Sequence, residues 1–114
     1  MSASGLIRAE RLRGREAIHR LLKEARGGEN ELLVMRHHRG DRTGRRVLFS
    51  VARSIRGAVP RNRLKRRLRA LYREHRDRLP TDGDLLLMAR TAALGASWNE
   101  MTRAFLELTD ALAD

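Results

Sequence analysis

Between residues 14 and 26, Ile18, Leu21, Leu22 and Ala25 fall at i, i+3, i+4 and i+7, which predicts an amphipathic helix with those four on its buried stripe. Gly27-Gly28 supplies a stop, because glycine accepts the left-handed conformation common just past a helix end. Leu32-Leu33-Val34-Met35 is an apolar run too short for a helix and reads as a strand. Residues 37–46 are polar and glycine-punctuated, consistent with a hairpin connection. Val47, Phe49 and Val51 then alternate with Leu48, Ser50 and Ala52, a second strand with one face more apolar than the other.

Val59-Pro60 marks the next boundary, since proline pushes its predecessor to extended geometry and itself suits the first turn of a helix. From Arg61 to about Arg78 the pattern is helical, with Leu64, Leu68 and Leu71 on one stripe and Tyr72 beside them. Residues 80–84 read as a turn, and Leu85–Ala89 is apolar on both faces, as expected of a strand covered on both sides. Ser97 and Glu100 have capping-box spacing ahead of a last helix whose core stripe is Trp98, Met101, Phe105, Leu108 and Leu112. With a third short strand allowed before the central helix, the order is α-β-β-β-α-β-α. This is one α+β domain over residues 1–114, an α-β sandwich with residues 1–5 as a flexible start.

Length agrees: 114 residues suit a single core, which typically serves ~100–150 residues. The chain holds no cysteine, which removes disulfides, a thiol nucleophile and Cys-based zinc sites. No apolar run approaches the ~20 residues of a bilayer span and no signal-type segment follows Met1, so the expectation is a cytoplasmic protein with no membrane partner. Charge changes the picture most. The formal net charge is +11, and residues 1–78 carry a net +15 against −4 over residues 79–114. All the basic residues except Lys23 and Lys65 are arginine, whose planar fork matches phosphate and stacks on bases. A polyanion is therefore the expected partner, and the first two thirds of the chain should meet it.

The densest part is the central helix. At about 100° per residue the leucine stripe takes one side, and Lys65, Arg66, Arg69, Arg73 and Arg76 take the opposite and adjoining side. Asn62 stands at the expected helix start beside free N–H groups, and Arg61 and Arg63 flank it toward different sides. With Arg53 and Arg56 just upstream, the candidate RNA-binding set is Arg53, Arg56, Arg61, Asn62, Arg63, Lys65, Arg66, Arg69 and Arg73. No catalytic constellation stands beside it. His37-His38 on an extended segment point to opposite faces and lack further ligands, Asp82 and Asp84 suit turn chemistry, and no Ser/His/carboxylate set or Gly-rich phosphate loop appears. No catalytic residue and no metal site are expected in this chain.

Gly57-Ala58-Val59-Pro60-Arg61-Asn62-Arg63-Leu64-Lys65-Arg66, followed by Leu68, Arg69, Tyr72 and Arg73, resembles the signature of the bacterial ribonuclease P protein subunit. The likeness runs over roughly residues 6–112. It implies an α-β sandwich shared with a ribosomal-protein domain, containing a left-handed β-α-β crossover where the general rule is right-handed. It also implies an RNA-binding subunit of a ribonucleoprotein that removes the 5′ leader from precursor transfer RNA. The catalytic RNA and its Mg2+ ions would perform the hydrolysis, and the protein would bind no cofactor of its own and need no obligate protein partner. By position, Arg61, Asn62, Arg63, Lys65, Arg66 and Arg69 would contact the catalytic RNA, and Arg53 would stand on the leader side.

The chain departs from that pattern at several positions. An aromatic residue usually stands where this chain has Ile18, and aromatics on the first strand are replaced by Leu33-Val34-Met35-Arg36. The leader-cleft candidates are then Ile18, Phe49 and Arg53, with Tyr72 the other ring of the region. Arg67 and Ala70 stand where an apolar residue and a glutamate are usual. Two other functions share the same charge. A ribosomal or general structured-RNA-binding protein would bind unrelated RNAs comparably. A DNA-binding protein would use residues 61–78 as a recognition helix, but residues 47–59 read as strand and loop rather than as the preceding helix of such a motif.

Overall fold

A computed structural model describes residues 15–40 and 43–113. In chain order they form α1 (Arg15–Glu24), β1 (Arg26–Glu29), β2 (Leu33–His38), β3 (Arg45–Val51), α2 (Ala58–Glu74), β4 (Gly83–Ala89) and α3 (Trp98–Ala113), with 3-10 turns at Arg76–Arg78 and Thr91–Gly95. The expected order α-β-β-β-α-β-α is the observed one. The start at residues 1–5 lies outside the described residues.

The strands form one sheet in the order β1-β2-β4-β3. β1 and β2 pair antiparallel, β2 and β4 pair antiparallel, and β3 pairs parallel to β4 with Val47 opposite Leu85 and Val51 opposite Ala89. The parallel pair is joined through α2, the kind of crossover that parallel neighbours require. β4 is apolar on both faces because it is a central strand. For the same reason residues 37–46 do not close a hairpin. β4 lies between β2 and β3, and the polar stretch is partly β2, which continues to His38. Leu85, Leu86, Leu87 and Met88 can be covered on both faces only in the middle, whereas β3, with one mixed face, suits the edge.

The second departure is β1. Gly27-Gly28 was expected to end a helix, but the helix ends at Glu24 and the glycines enter an edge strand. Gly27 has φ +144° and lies directly over the Met35 carbonyl, where a Cβ would collide with backbone. Glycine is needed there for close strand approach rather than for a helix stop.

One face of the sheet carries the main core. Leu33 and Met35 of β2, Val47 and Val51 of β3, and Leu85, Leu87 and Ala89 of β4 pack under Leu64, Leu68, Leu71 and Tyr72 of α2 and Met101, Phe105 and Leu108 of α3. Trp98 and Leu112 pack partly buried against the same core, so the whole expected stripe of α3 serves as such. α3 begins on the expected capping box. The Glu100 amide donates to Ser97 Oγ at 3.1 Å, and Glu100 Oε1 accepts from the Ser97 amide at 2.8 Å. The backbone and hydroxyl hydrogen bonds of Ser97, with Arg103 nearby, hold the Glu100 carboxyl below its usual range.

Among the described residues the opposite face is covered only by α1. Leu21 is buried on Leu86, with Ala25, Leu48 and Met88 around the contact. Leu22, expected on the buried stripe, is 44% exposed. α1 has only ten residues and lies over β2 and β4, so its packed side narrows to Leu21 and its neighbours while Leu22 overhangs uncovered sheet. At the far end of the sheet Arg46 makes a two-bonded contact with the buried Asp84 at 2.8 and 3.0 Å. Asp82 Oδ1 accepts from the Gly44 amide at 2.8 Å, and His37 Nε2–H donates to the Asp82 carbonyl at 2.7 Å. Asp82, Asp84 and His37 are thus used in turn and strand contacts. Among the described residues no group of three or more His, Asp or Glu is placed to hold a metal ion, and no helix is long and apolar enough to cross a membrane.

Candidate nucleic-acid interface

α2 divides its side chains as the leucine period requires: Leu64, Leu68, Leu71 and Tyr72 go down into the core and the cations go up or sideways. The helix starts one turn earlier than the sequence pattern suggests, at Ala58 after Gly57, whose φ of +93° makes the turn. Pro60 therefore sits in the first turn. Asn62 is not at the helix start, and the Arg61 amide already donates to the Gly57 carbonyl at 3.4 Å. The unbonded N–H groups of the first turn belong to Ala58 and Val59, so Asn62 offers only its side chain.

The cations leave the helix in three rows. Along the β3 side run Arg61, Lys65 and Arg69, four residues apart. Arg61 is half-buried, and its guanidinium donates to the carbonyls of Ala52 at 3.1 Å and Ile55 at 2.8 Å. It ties α2 to the loop that carries Arg53 and Arg56. Arg69 lies over the Phe49 ring, 5.6 Å from its centroid. The outer row is Asn62, Arg66 and Arg73, all exposed, and Asn62, Arg66 and Arg69 border one shallow depression with Val59. On the third side, Arg63 is exposed beside Leu94, while Arg67 bends inward and donates to the Ala96 carbonyl at 3.1 Å. Arg67 occupies its site by burying its stem and satisfying its head on the Thr91–Gly95 turn region.

Arg53 and Arg56 stand on an exposed loop that is firmly held. Ile55 is buried beneath it, Arg61 grips it from α2, and Ser54 Oγ lies 2.6 Å from Thr91 Oγ1. The acidic side chains Glu100, Glu107 and Asp110 are on α3, which packs over β1 and β2 while α2 packs over β3 and β4. The two helices lie side by side on the same face of the sheet, with Arg67 of α2 reaching Met101 of α3, while the exposed cations Arg63, Arg66 and Arg73 stay on α2.

A second feature occupies the other face of the sheet. Between α1 and β3 the uncovered sheet forms an open cleft of about 1000 Å³. Its floor is apolar, made by Ile18, Leu22, Ala52 and Met88, with Ser50 beside them; Arg20, Lys23 and Arg53 stand around it with His19. Of the leader-cleft candidates, Ile18 and Arg53 are both here. Phe49 is not. Side chains alternate along β3, so Phe49 shares the main-core face with Val47 and Val51, edge-on to Tyr72 with centroids 5.8 Å apart. Tyr72 is fully buried there, beneath Arg45 and Arg76, and cannot stack on a bound base. Sequence reasoning missed Arg20, Lys23, Ser50 and Met88. The two-sided apolarity of β4 signalled that Met88 must face something, and Leu22, in line with Ile18 on α1, overhangs the same gap.

The fold and these two surfaces define a small basic α+β protein with an arginine-lined helix on one face of a mixed sheet and an open cleft on the other. The chain belongs to the ribonuclease P protein family, whose model, described as Ribonuclease P, matches residues 6–113. It is 30% identical over 98 residues to the ribonuclease P protein component of Alkaliphilus oremlandii, with 86% of each chain covered. It is 36% identical over 101 residues to that of a Nocardioides species, again over 86% of each. Among solved structures it resembles the RNase P protein of Staphylococcus aureus, with TM-score 0.79 at 20% identity over 94% of this chain and 97% of that one. The RNase P protein of Thermotoga maritima gives TM-score 0.75 at 24% identity over 89% and 96%. These two likenesses establish the fold.

Proposed function

We propose that this chain is the RNA-binding subunit of a ribonuclease P ribonucleoprotein, docking on the catalytic RNA through α2 and holding the 5′ leader of precursor transfer RNA in the cleft beneath α1. The carrying observation is the placement of Asn62, Arg63, Arg66 and Arg73 in solvent on a helix whose leucines are all buried. A cationic helix face repels itself, and a polyanion relieves that repulsion while releasing its own counterions. Arg61 supports the surface by fixing the loop of Arg53 and Arg56. The cleft offers a single strand cations that can track its backbone, set around an apolar floor. Hydrolysis belongs to the RNA and its Mg2+ ions, the protein adding charge and position, in the cytoplasm where the RNA is found. Against a general RNA binder, the reading predicts selectivity. At physiological salt, the catalytic RNA of a bacterial ribonuclease P should compete for the protein at least tenfold better than an unrelated structured RNA of equal length, measured by filter binding. Equal competition would favour the general binder.

A further inference from the structure

The cleft under α1 has a composition that decides how it can hold a strand, and the inference rests on the leader reading above. The chain contains only one Trp, one Tyr and two Phe. All four are committed to the opposite face of the sheet: Tyr72 and Phe105 are fully buried in the main core, and Phe49 and Trp98 pack against it. Since residues 1–14 contain none of these three types, no part of the chain can bring such a ring to the cleft. Its floor is aliphatic and thioether, with Ile18 and Met88 in it, the cations beside it are Arg20, Lys23 and Arg53, and the one ring among its lining residues is the small imidazole of His19.

We infer that this cleft takes single-stranded RNA by its phosphates and by aliphatic contact, without a Trp, Tyr or Phe platform for its bases, so that it accepts leaders with little regard to base identity. Stacking strength gives an aromatic platform a modest base preference, whereas a phosphate is the same at every nucleotide. Leu22, exposed over the same floor, offers a surface that any base or sugar can cover. Three cations neutralising phosphates on a single strand give a salt slope of about two, which corresponds to a roughly twentyfold loss between 50 and 200 mM salt.

The test uses the reconstituted holoenzyme and three substrates: a precursor transfer RNA with an eight-adenosine leader, the same precursor with an eight-uridine leader, and the leaderless transfer RNA. The quantity read is the precursor-to-leaderless affinity ratio that the protein adds over the catalytic RNA alone. The expected result is that the adenosine and uridine ratios agree within fivefold, and that the double variant Arg53→Gln/Lys23→Gln lowers both at least tenfold while its thermal midpoint stays that of the parent. An adenosine preference above fivefold, or a double variant that loses less than tenfold, overturns the inference. A holoenzyme that cleaves normally but gains nothing from the protein on either leader rejects the leader reading and this inference with it. A protein that fails to support cleavage at all rejects the proposed function itself.

Discussion

Replacing Arg63 and Arg66 together by glutamine is expected to weaken binding of the catalytic RNA on the order of a hundredfold at low salt, at ~1.5 kcal/mol for each lost charge-assisted contact. The slope of log affinity against log salt should flatten by about two, one for each phosphate contact removed. Both side chains are exposed on α2 and neither is bonded to the domain in the way Arg61 and Arg67 are, so the thermal midpoint should hold. The comparison with Arg61→Gln is informative. That change removes the bonds to the Ala52 and Ile55 carbonyls, and it should loosen the Arg53–Arg56 loop, seen as faster amide exchange there. An unchanged RNA affinity in the double variant, measured by titration at two salt concentrations, would take α2 out of the interface.

Leu68→Ala should act through the other side of the same helix. Leu68 is 1% exposed in the middle of the main core, among residues from α2, the sheet and α3. Truncation removes the transfer energy of its methyl groups and leaves a cavity that a packed sheet-helix layer closes only in part, costing about 2–5 kcal/mol. For a domain of this size that amounts to a large part of a typical total stability of ~5–15 kcal/mol. Urea denaturation should show a lower midpoint at constant slope. RNA affinity, referred to the folded fraction, should stay near that of the parent, because the cations themselves are untouched. A loss below 1 kcal/mol would contradict the packing described for α2.

The leucine stripe of α2, the capping box of Ser97 and Glu100 and the two-sided burial of β4 were legible in the sequence. Each is a local pattern with one physical solution: a buried helix side, a paired helix start, a strand covered twice. Three features were not legible. The pairing of β4 between β2 and β3 is a non-local choice, and a polar, glycine-rich segment at 37–46 is as compatible with a hairpin as with a longer connection. β1 is hidden because glycine serves equally as a helix stop and as the residue that allows close strand contact, as Gly27 does over Met35. The third concerns roles within one side-chain type. Arg61, Arg63 and Arg67 look alike in sequence, yet only Arg63 faces solvent, because Arg61 finds loop carbonyls and Arg67 finds the Ala96 carbonyl within reach.

The cleft shows the same limit from the other side. Ile18 and Arg53 were identifiable as its residues, but Phe49 was assigned to it on sequence proximity, and strand alternation sends that ring to the opposite face. The difference matters for chemistry, since it takes the Phe49 ring out of the cleft.

The most direct test is a magnesium titration of precursor transfer RNA cleavage by a bacterial ribonuclease P RNA, with and without this protein. A subunit that screens RNA charge and grips the leader should let cleavage proceed at Mg2+ concentrations several-fold below those the RNA needs alone, and the Arg63→Gln/Arg66→Gln variant should lose most of that gain. An identical magnesium requirement with and without folded protein would contradict the account.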